Sequence, residues 1–356
     1  MIRPSHIAIV LASLSLSVAR SATAGWVPNG VPLCSSPCAS DLPNIVTDGA
    51  GGGIVMWRHY AGSGVHNVVL QRITAEGDIA PGWPADGVPA STDPHNHSNP
   101  GITADGDGGV IVAWEDYRSV VNPPYLDIYA QRVTASGTIA PGWNPDGVRL
   151  TGAPNGQISP RVCSDGTGGA LVTWEDYRSG SSNPDIYAQH VTGAGTIAPG
   201  WPVDGLLIAG GTSVQNFPAI TADGAGGALI VWRDGSGALF GQRITSAGAV
   251  AAGWPTSGVV VCPSPGWQDI PHVVSDGAGG AIVGWEDART APPGTYDPSY
   301  EYANIYAQHV TASGTISPGW PVDGLPVCLA PHTQHHLSIA ADGVGGVLMA
   351  WEDYRA

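Results

Sequence analysis

From Pro218 the chain reads "PAITADGAGGALIVWRD": two short apolar runs split by a glycine-rich turn. Each run is too short for a helix and is rich in Val, Ile and Leu, as half-buried strands are. The Asp-Gly-x-Gly-Gly between them supplies the positive φ angles that a tight hairpin needs. After a stretch of variable length comes a third run, "DIYAQRVT" in the copy at Asp127. A Ser-Gly turn then leads to a fourth, "GWPVDGLPV" in the copy at Gly319. The pattern predicts four antiparallel strands, A to D, with D starting at the Gly-Trp pair. No stretch beyond residue 24 has the period of a helix.

This four-strand unit recurs. Trp-Glu-Asp-Tyr-Arg stands at Trp114–Arg118, Trp174–Arg178 and Trp351–Arg355, with degenerate copies at Trp57, Trp232 and Trp285. A second tryptophan (Trp26, Trp83, Trp143, Trp201, Trp254, Trp320) precedes each block tryptophan by 31 residues, and only Trp267 stands outside this pairing. Gln71, Gln131, Gln189, Gln242 and Gln308 each lie 12 residues before the following Gly-Trp tryptophan, so length varies only between the block tryptophan and this glutamine. Four strands repeated every 53 to 66 residues make the blade of a β-propeller. The expected fold is all-β and six-bladed, a single domain over 25–356. Its units span about 43–91, 99–150, 159–208, 217–262, 270–328 and a partial 336–356. In that scheme residues 25–34 supply strand D to the last blade. Strand C of that blade would follow Ala356, so the sequence reads as truncated at its C-terminus.

Arg3, the apolar run Ile7–Val18 and Ala22-Thr23-Ala24 read as a signal peptide over residues 1–24, which predicts a secreted or cell-surface protein. All 13 basic residues are arginines, against 29 acidic ones. Such a balance excludes an electrostatic footprint for nucleic acid, and no span beyond the leader is apolar enough for membrane insertion. Among the five cysteines, Cys34 and Cys38 are spaced to close a small loop, and no zinc signature is present.

The pattern "P.I.ADG.GG.IV.WEDYR…DIYAQRVT..G" resembles the BNR/Asp-box repeats of sialidase-like propellers over nearly all of residues 25–356. The turn Thr134–Trp143, "TASGTIAPGW", corresponds to a degenerate Asp-box: Gly and Trp are kept, the Asp is absent and two residues are added. The chain is also similar to repeat proteins of secreted bacterial chains. The resemblance implies the blade architecture. The Phe-Arg-Ile-Pro-like segment of catalytic sialidases has no counterpart, since the only two Phe are Phe217 and Phe240, so no catalytic residue carries over.

A catalytic constellation is normally unique in its chain. Trp174–Arg178 is repeated, which makes it architecture: the tryptophan fills the space between blades, and Asp176 and Arg178 pair. The variable B–C loops open at one mouth of the central channel. One carries Tyr125; another carries Tyr296, Asp297, Tyr300, Glu301 and Tyr302, aromatics and carboxylates suited to carbohydrate, although a loop packed on itself needs the same residues. His95, His97, His332, His335 and His336 fall in two D–A loops of different blades and are weak metal candidates without ligand spacing. The "DGDGG" at Asp105 faintly resembles a structural calcium loop but lacks the later ligands. No cofactor is implied. The expectation is a non-catalytic binding or structural module for carbohydrate or another surface protein. Its competitor is a glycosidase- or lyase-type enzyme with its site at the channel mouth.

Overall fold

The computed structural model describes residues 26, 29–35, 40–60, 64–119, 126–263, 267–290 and 303–355. Among these there is no helix, and hence none long and apolar enough to cross a membrane. Five sheets have four antiparallel strands each, hydrogen-bonded in chain order, and a sixth has two. The third blade is representative: Gln157–Ser164, Ala170–Asp176, Asp185–Val191 and Leu206–Ala209. The first strand of each blade packs beside the first strand of the next, lining the channel of a β-propeller. The two end sheets are not joined by hydrogen bonds among the described residues.

The A–B turn is built by its aspartate. Asp165 Oδ1 accepts the N–H groups of Thr167 (2.7 Å) and Gly169 (2.9 Å), while Gly166 and Gly168 take φ of 76° and 88°. Its Oδ2 holds the third strand through His190 at 2.9 Å. Asp105 does the same with Asp107, Gly109 and Arg132, so both of its oxygens serve the turn. The calcium-like spelling there is turn chemistry.

Strand D starts later than the sequence pattern predicts. It begins at Val88, Val148, Leu206, Val259 and Leu325, each five residues after its Gly-Trp tryptophan. The reason is local: Pro84, Pro202, Pro255 and Pro321 follow four of those tryptophans and have no N–H for a ladder. The tryptophan instead docks on the next blade. Trp83, Trp143, Trp201 and Trp254 donate Nε1–H to Ala135, Gly193, Ser246 and Ala312 carbonyls at 2.8–3.0 Å. The fixed 12-residue spacing follows, because the buried glutamine donates to the carbonyl after that tryptophan, as Gln189 does to Pro202 at 2.7 Å. Trp26 repeats the motif on the first blade through Ala75 (3.2 Å), and Ser35 Oγ holds Asp86 as Thr92 Oγ1 holds Asp146. Residues 29–35 thus stand where a preceding blade's D segment would stand, although they form no strand.

The block residues are architecture. Trp114, Trp174 and Trp285 are fully buried, and Trp174 packs with Ile111, Ile128 and Trp143 between the second and third blades. Asp176 accepts from Trp174 Nε1 (2.8 Å), Arg178 Nε (2.8 Å) and Arg178 Nη2 (2.6 Å), and the guanidinium lies 3.8 Å from the Tyr187 ring centre. Gly205, at φ 91°, lies against this tryptophan, and a Cβ there would sit 2.7 Å from the Trp174 ring. Gly205→Ala is therefore expected to lower unfolding free energy by about 2–4 kcal/mol, adding overpacking to left-handed strain, measured by urea unfolding. A change below about 0.5 kcal/mol would mean that this seam is loosely packed.

Candidate active site at the channel mouth

Each first strand carries a bulge where it enters the channel. Leu42, Asn99, Ser159, Phe217, Ile270 and His336 all take positive φ, between 44° and 57°, at the register shift of their strand. Such a backbone is costly for bulky and β-branched residues and persists only where neighbours enforce it. The glutamate of the Trp-Glu-Asp block is one enforcer. Glu115 Oε1 accepts the Ser159 N–H (2.7 Å), and Glu175 Oε1 that of Phe217 (2.9 Å), each across a blade boundary. Glu286 reaches Leu337 N (3.3 Å) and His335 Nδ1 (3.0 Å). This role was not legible in the sequence, because it joins residues 42 to 51 positions apart through a backbone amide.

The fourth blade breaks the pattern. Arg233 replaces the glutamate and pairs with Asp269 at 2.8 Å, between the rings of Phe217 (4.5 Å) and Trp267 (4.3 Å). Trp267, the tryptophan outside the repeat, is 41% exposed here, and Phe217 36%. Two aromatic faces thus meet solvent at the mouth.

Inside the mouth is a cavity of about 240 Å³, smaller than the about 300–1,000 Å³ usual for ligand pockets. Asn44, Gly101, Arg161, Phe217, Ala219 and His272 line it, and no Asp or Glu among the described residues does. Asn44, Gly101, Arg161, Ala219 and His272 occupy equivalent strand positions, so one structural slot holds five residue types. Arg161 donates to the Pro160 carbonyl (3.0 Å) and has no carboxylate within 4 Å among the described residues. Water reaches it through the mouth, yet the walls crowd it enough that burial lowers its pKa, against the pull of Glu175 and Glu115. Burial, and then the Arg161 charge, lower the pKa of His272 below the ordinary imidazole value. Burial raises that of Glu175. The arrangement offers a cation with no carboxylate within 4 Å among the described residues, an imidazole whose charged form is disfavoured, and two aromatic faces.

The residues singled out from sequence fare differently. Tyr125, Tyr296, Asp297, Tyr300, Glu301 and Tyr302 lie outside the described residues, as does Cys38. The five histidines do not converge. His95 Nδ1 is held by Asp93 (2.7 Å), His335 by Glu286, and exposed His336 by Glu352 (3.2 Å). His332 sits in a turn at φ 67°, and His97 is buried beside Asp116.

No family model matches the chain, and no curated protein matches it. Solved structures of similar architecture include a putative TolB from Agrobacterium tumefaciens (13% identity, 90% of this chain and 92% of that one, TM-score 0.45). An intramolecular trans-sialidase from Ruminococcus gnavus aligns at 8% identity over 89% and 90%, TM-score 0.49. A Penicillium chrysogenum α-L-arabinanase aligns at 12% over 78% and 92%, TM-score 0.45. At these identities the likeness is one of fold, an all-β propeller. The expectation of a non-catalytic chain is corrected here, since the similar structures include enzymes: the trans-sialidase, the arabinanase and a family-43 glycoside hydrolase. The physical reason is that repetition argued only against the Trp-Glu-Asp block. Arg161, His272 and Trp267 stand outside that block, and repetition says nothing of them.

Proposed function

We propose that the chain is a lyase-type enzyme acting at the channel mouth on a carboxylated glycan. The observation that carries this reading is Arg161, a guanidinium in a narrow channel without a carboxylate partner among the described residues. A guanidinium facing the channel with no carboxylate within 4 Å among the described residues is open to an incoming anion, and Arg presents a planar fork to a carboxylate. Phe217 and Trp267 provide flat apolar faces for sugar rings beside it.

The chemistry follows from the cavity lining. Glycoside hydrolysis ordinarily needs two carboxyl groups flanking the bond, and the described lining has none. Elimination needs less. Arg161 neutralises the uronate carboxylate and so acidifies the carbon bearing it. Neutral His272 takes the proton from that carbon, its electrons form a carbon–carbon double bond, and the adjacent carbon–oxygen bond breaks. The imidazolium returns the proton to the departing oxygen. Glu175 is a positioning residue, since it fixes the backbone of Phe217.

The test is incubation with uronate polysaccharides, following the ultraviolet absorbance of the unsaturated product. New reducing ends without that absorbance would mean hydrolysis and end the elimination reading. A pH dependence is also expected. Because burial and Arg161 hold His272 below the usual 6.5, its base form persists as pH falls, and kcat/KM is retained somewhat below pH 6.5 before it drops. The same shift means that stability is fully present above pH 6.5 and is lost as pH falls toward the folded value. His272→Asn should lower kcat/KM by about 10²–10⁴-fold and remove the stability change. An unchanged acidic limb of activity in that variant would exclude His272 as the base.

A further inference from the structure

The second blade differs from its neighbours at two positions that meet in space. Each first strand from the third blade onward opens on glutamine: Gln157, Gln215, Gln268 and Gln334; the second opens on His97. Four residues earlier stand Ala153, Gly211 and Ala330, but Asp93 in the second blade. Gln157 and Gln334 clip their own loops, donating Nε2–H to the carbonyls of Ala153 and Asn155, and of Ala330 and His332, at 3.0–3.3 Å. His97 makes no such bond. It is 1% exposed, and among the described residues its ring nitrogens have no partner at ordinary hydrogen-bond geometry, the nearest being Asp116. Nε2 lies 3.4 Å from Asp116 Oδ2, and one ligand atom each of Asp93, His97 and Asp116 lies within 4.8 Å of the others.

From this we infer that Asp93, His97 and Asp116 form a site for a divalent transition cation of the zinc class, tying the loop before the strand to the end of the Trp-Glu-Asp block. One imidazole and two carboxylates suit zinc, whose bonds to them run about 2.0–2.2 Å, and small side-chain rotations close the remaining gap. Three protein ligands with a nitrogen do not suit calcium, which takes about 6–8 oxygens. Trp114 Nε1 donates to Asp116 Oδ2 at 2.9 Å and orients that carboxylate from behind. The cation now nearest is Arg118, with Nη2 2.6 Å from Asp116 Oδ2 and Nε 3.8 Å from Asp93 Oδ2. It has other anchors, the Asp146 carbonyl (2.8 Å) and the Tyr129 ring (4.1 Å), on which it can remain when the ion takes Oδ2. Two carboxylates against one guanidinium leave a pocket that favours a further positive charge. Asp93 Oδ1 also accepts from His95 N (3.0 Å) and Nδ1 (2.7 Å), which leaves its Oδ2 to face the ion.

The test is zinc titration of the full chain by calorimetry, with melting temperature as a second readout, for the wild type, His97→Gln, Asp93→Ala and Arg118→Gln. The first two substitutions bring in residue types that the other blades already carry, so the fold should survive. Zinc should bind the wild type at one site and raise its melting temperature. His97→Gln and Asp93→Ala should each weaken it by more than the roughly 10–100-fold that loss of an outer-shell partner costs. Arg118→Gln should tighten it, because a competing cation is gone. Equal zinc affinity in the wild type and in folded His97→Gln overturns the site and assigns the zinc to surface histidines. No zinc binding by the wild type overturns it as well, leaving Asp116 to Arg118 alone.

Discussion

Arg161→Ala is expected to lower kcat/KM on a uronate glycan by about 10²–10³-fold, the scale reported for loss of one charge-stabilising donor, while leaving stability unchanged or slightly higher. The combination is what marks a functional residue. Arg161 donates to the carbonyl of its own neighbour and to no carboxylate among the described residues, and burial already disfavours its charge, so little folding energy is lost with it. Arg161→Lys should recover part of the turnover, because the charge returns without the planar fork. The measurement pairs turnover by product absorbance with urea unfolding of the same preparations. Full turnover in the alanine variant would sink the elimination reading. A large loss of stability would make Arg161 part of the channel wall instead.

The reverse outcome is expected for Asp176→Ala. Its carboxylate is fully buried and accepts from Trp174 Nε1, Arg178 N and the Arg178 guanidinium. Removing it leaves Arg178 with the Asp204 carbonyl (2.6 Å) but no carboxylate, and the Trp174 indole N–H without its acceptor, a change that costs about 3–5 kcal/mol. Below its lowered unfolding midpoint the variant should turn over substrate as the wild type does, since Asp176 is not among the residues lining the cavity. Equilibrium unfolding and an activity assay at low temperature check both halves. Lost turnover with intact stability would return the Trp-Glu-Asp block to the list of catalytic candidates.

The repeat made the blade legible because each of its constraints is local or short-range. The glutamine-to-tryptophan spacing corresponds to one side-chain hydrogen bond, from Gln189 to the Pro202 carbonyl and its copies. The Asp-Gly-x-Gly-Gly spelling corresponds to one turn, closed by Asp165 on two backbone amides. Strand D was misplaced where a proline and an inter-blade docking outweighed the apolar pattern around Trp201. Trp267 stood out from the repeat, but periodicity alone gave it no place.

The chain by itself therefore determined the strands, their order, the turns and the tryptophan seams, since these arise from alternation, positive-φ glycines and interactions repeated in each copy. Only the tertiary structure decided where unique chemistry gathers. Arg161 and His272 are 111 positions apart, and Arg233 is 36 positions from Asp269. Radial packing brings one position of every first strand, that of Arg161 and His272, to a common axis, and sets Arg233 at the end of a second strand against the first strand of the next blade; no pattern along a single strand records either convergence.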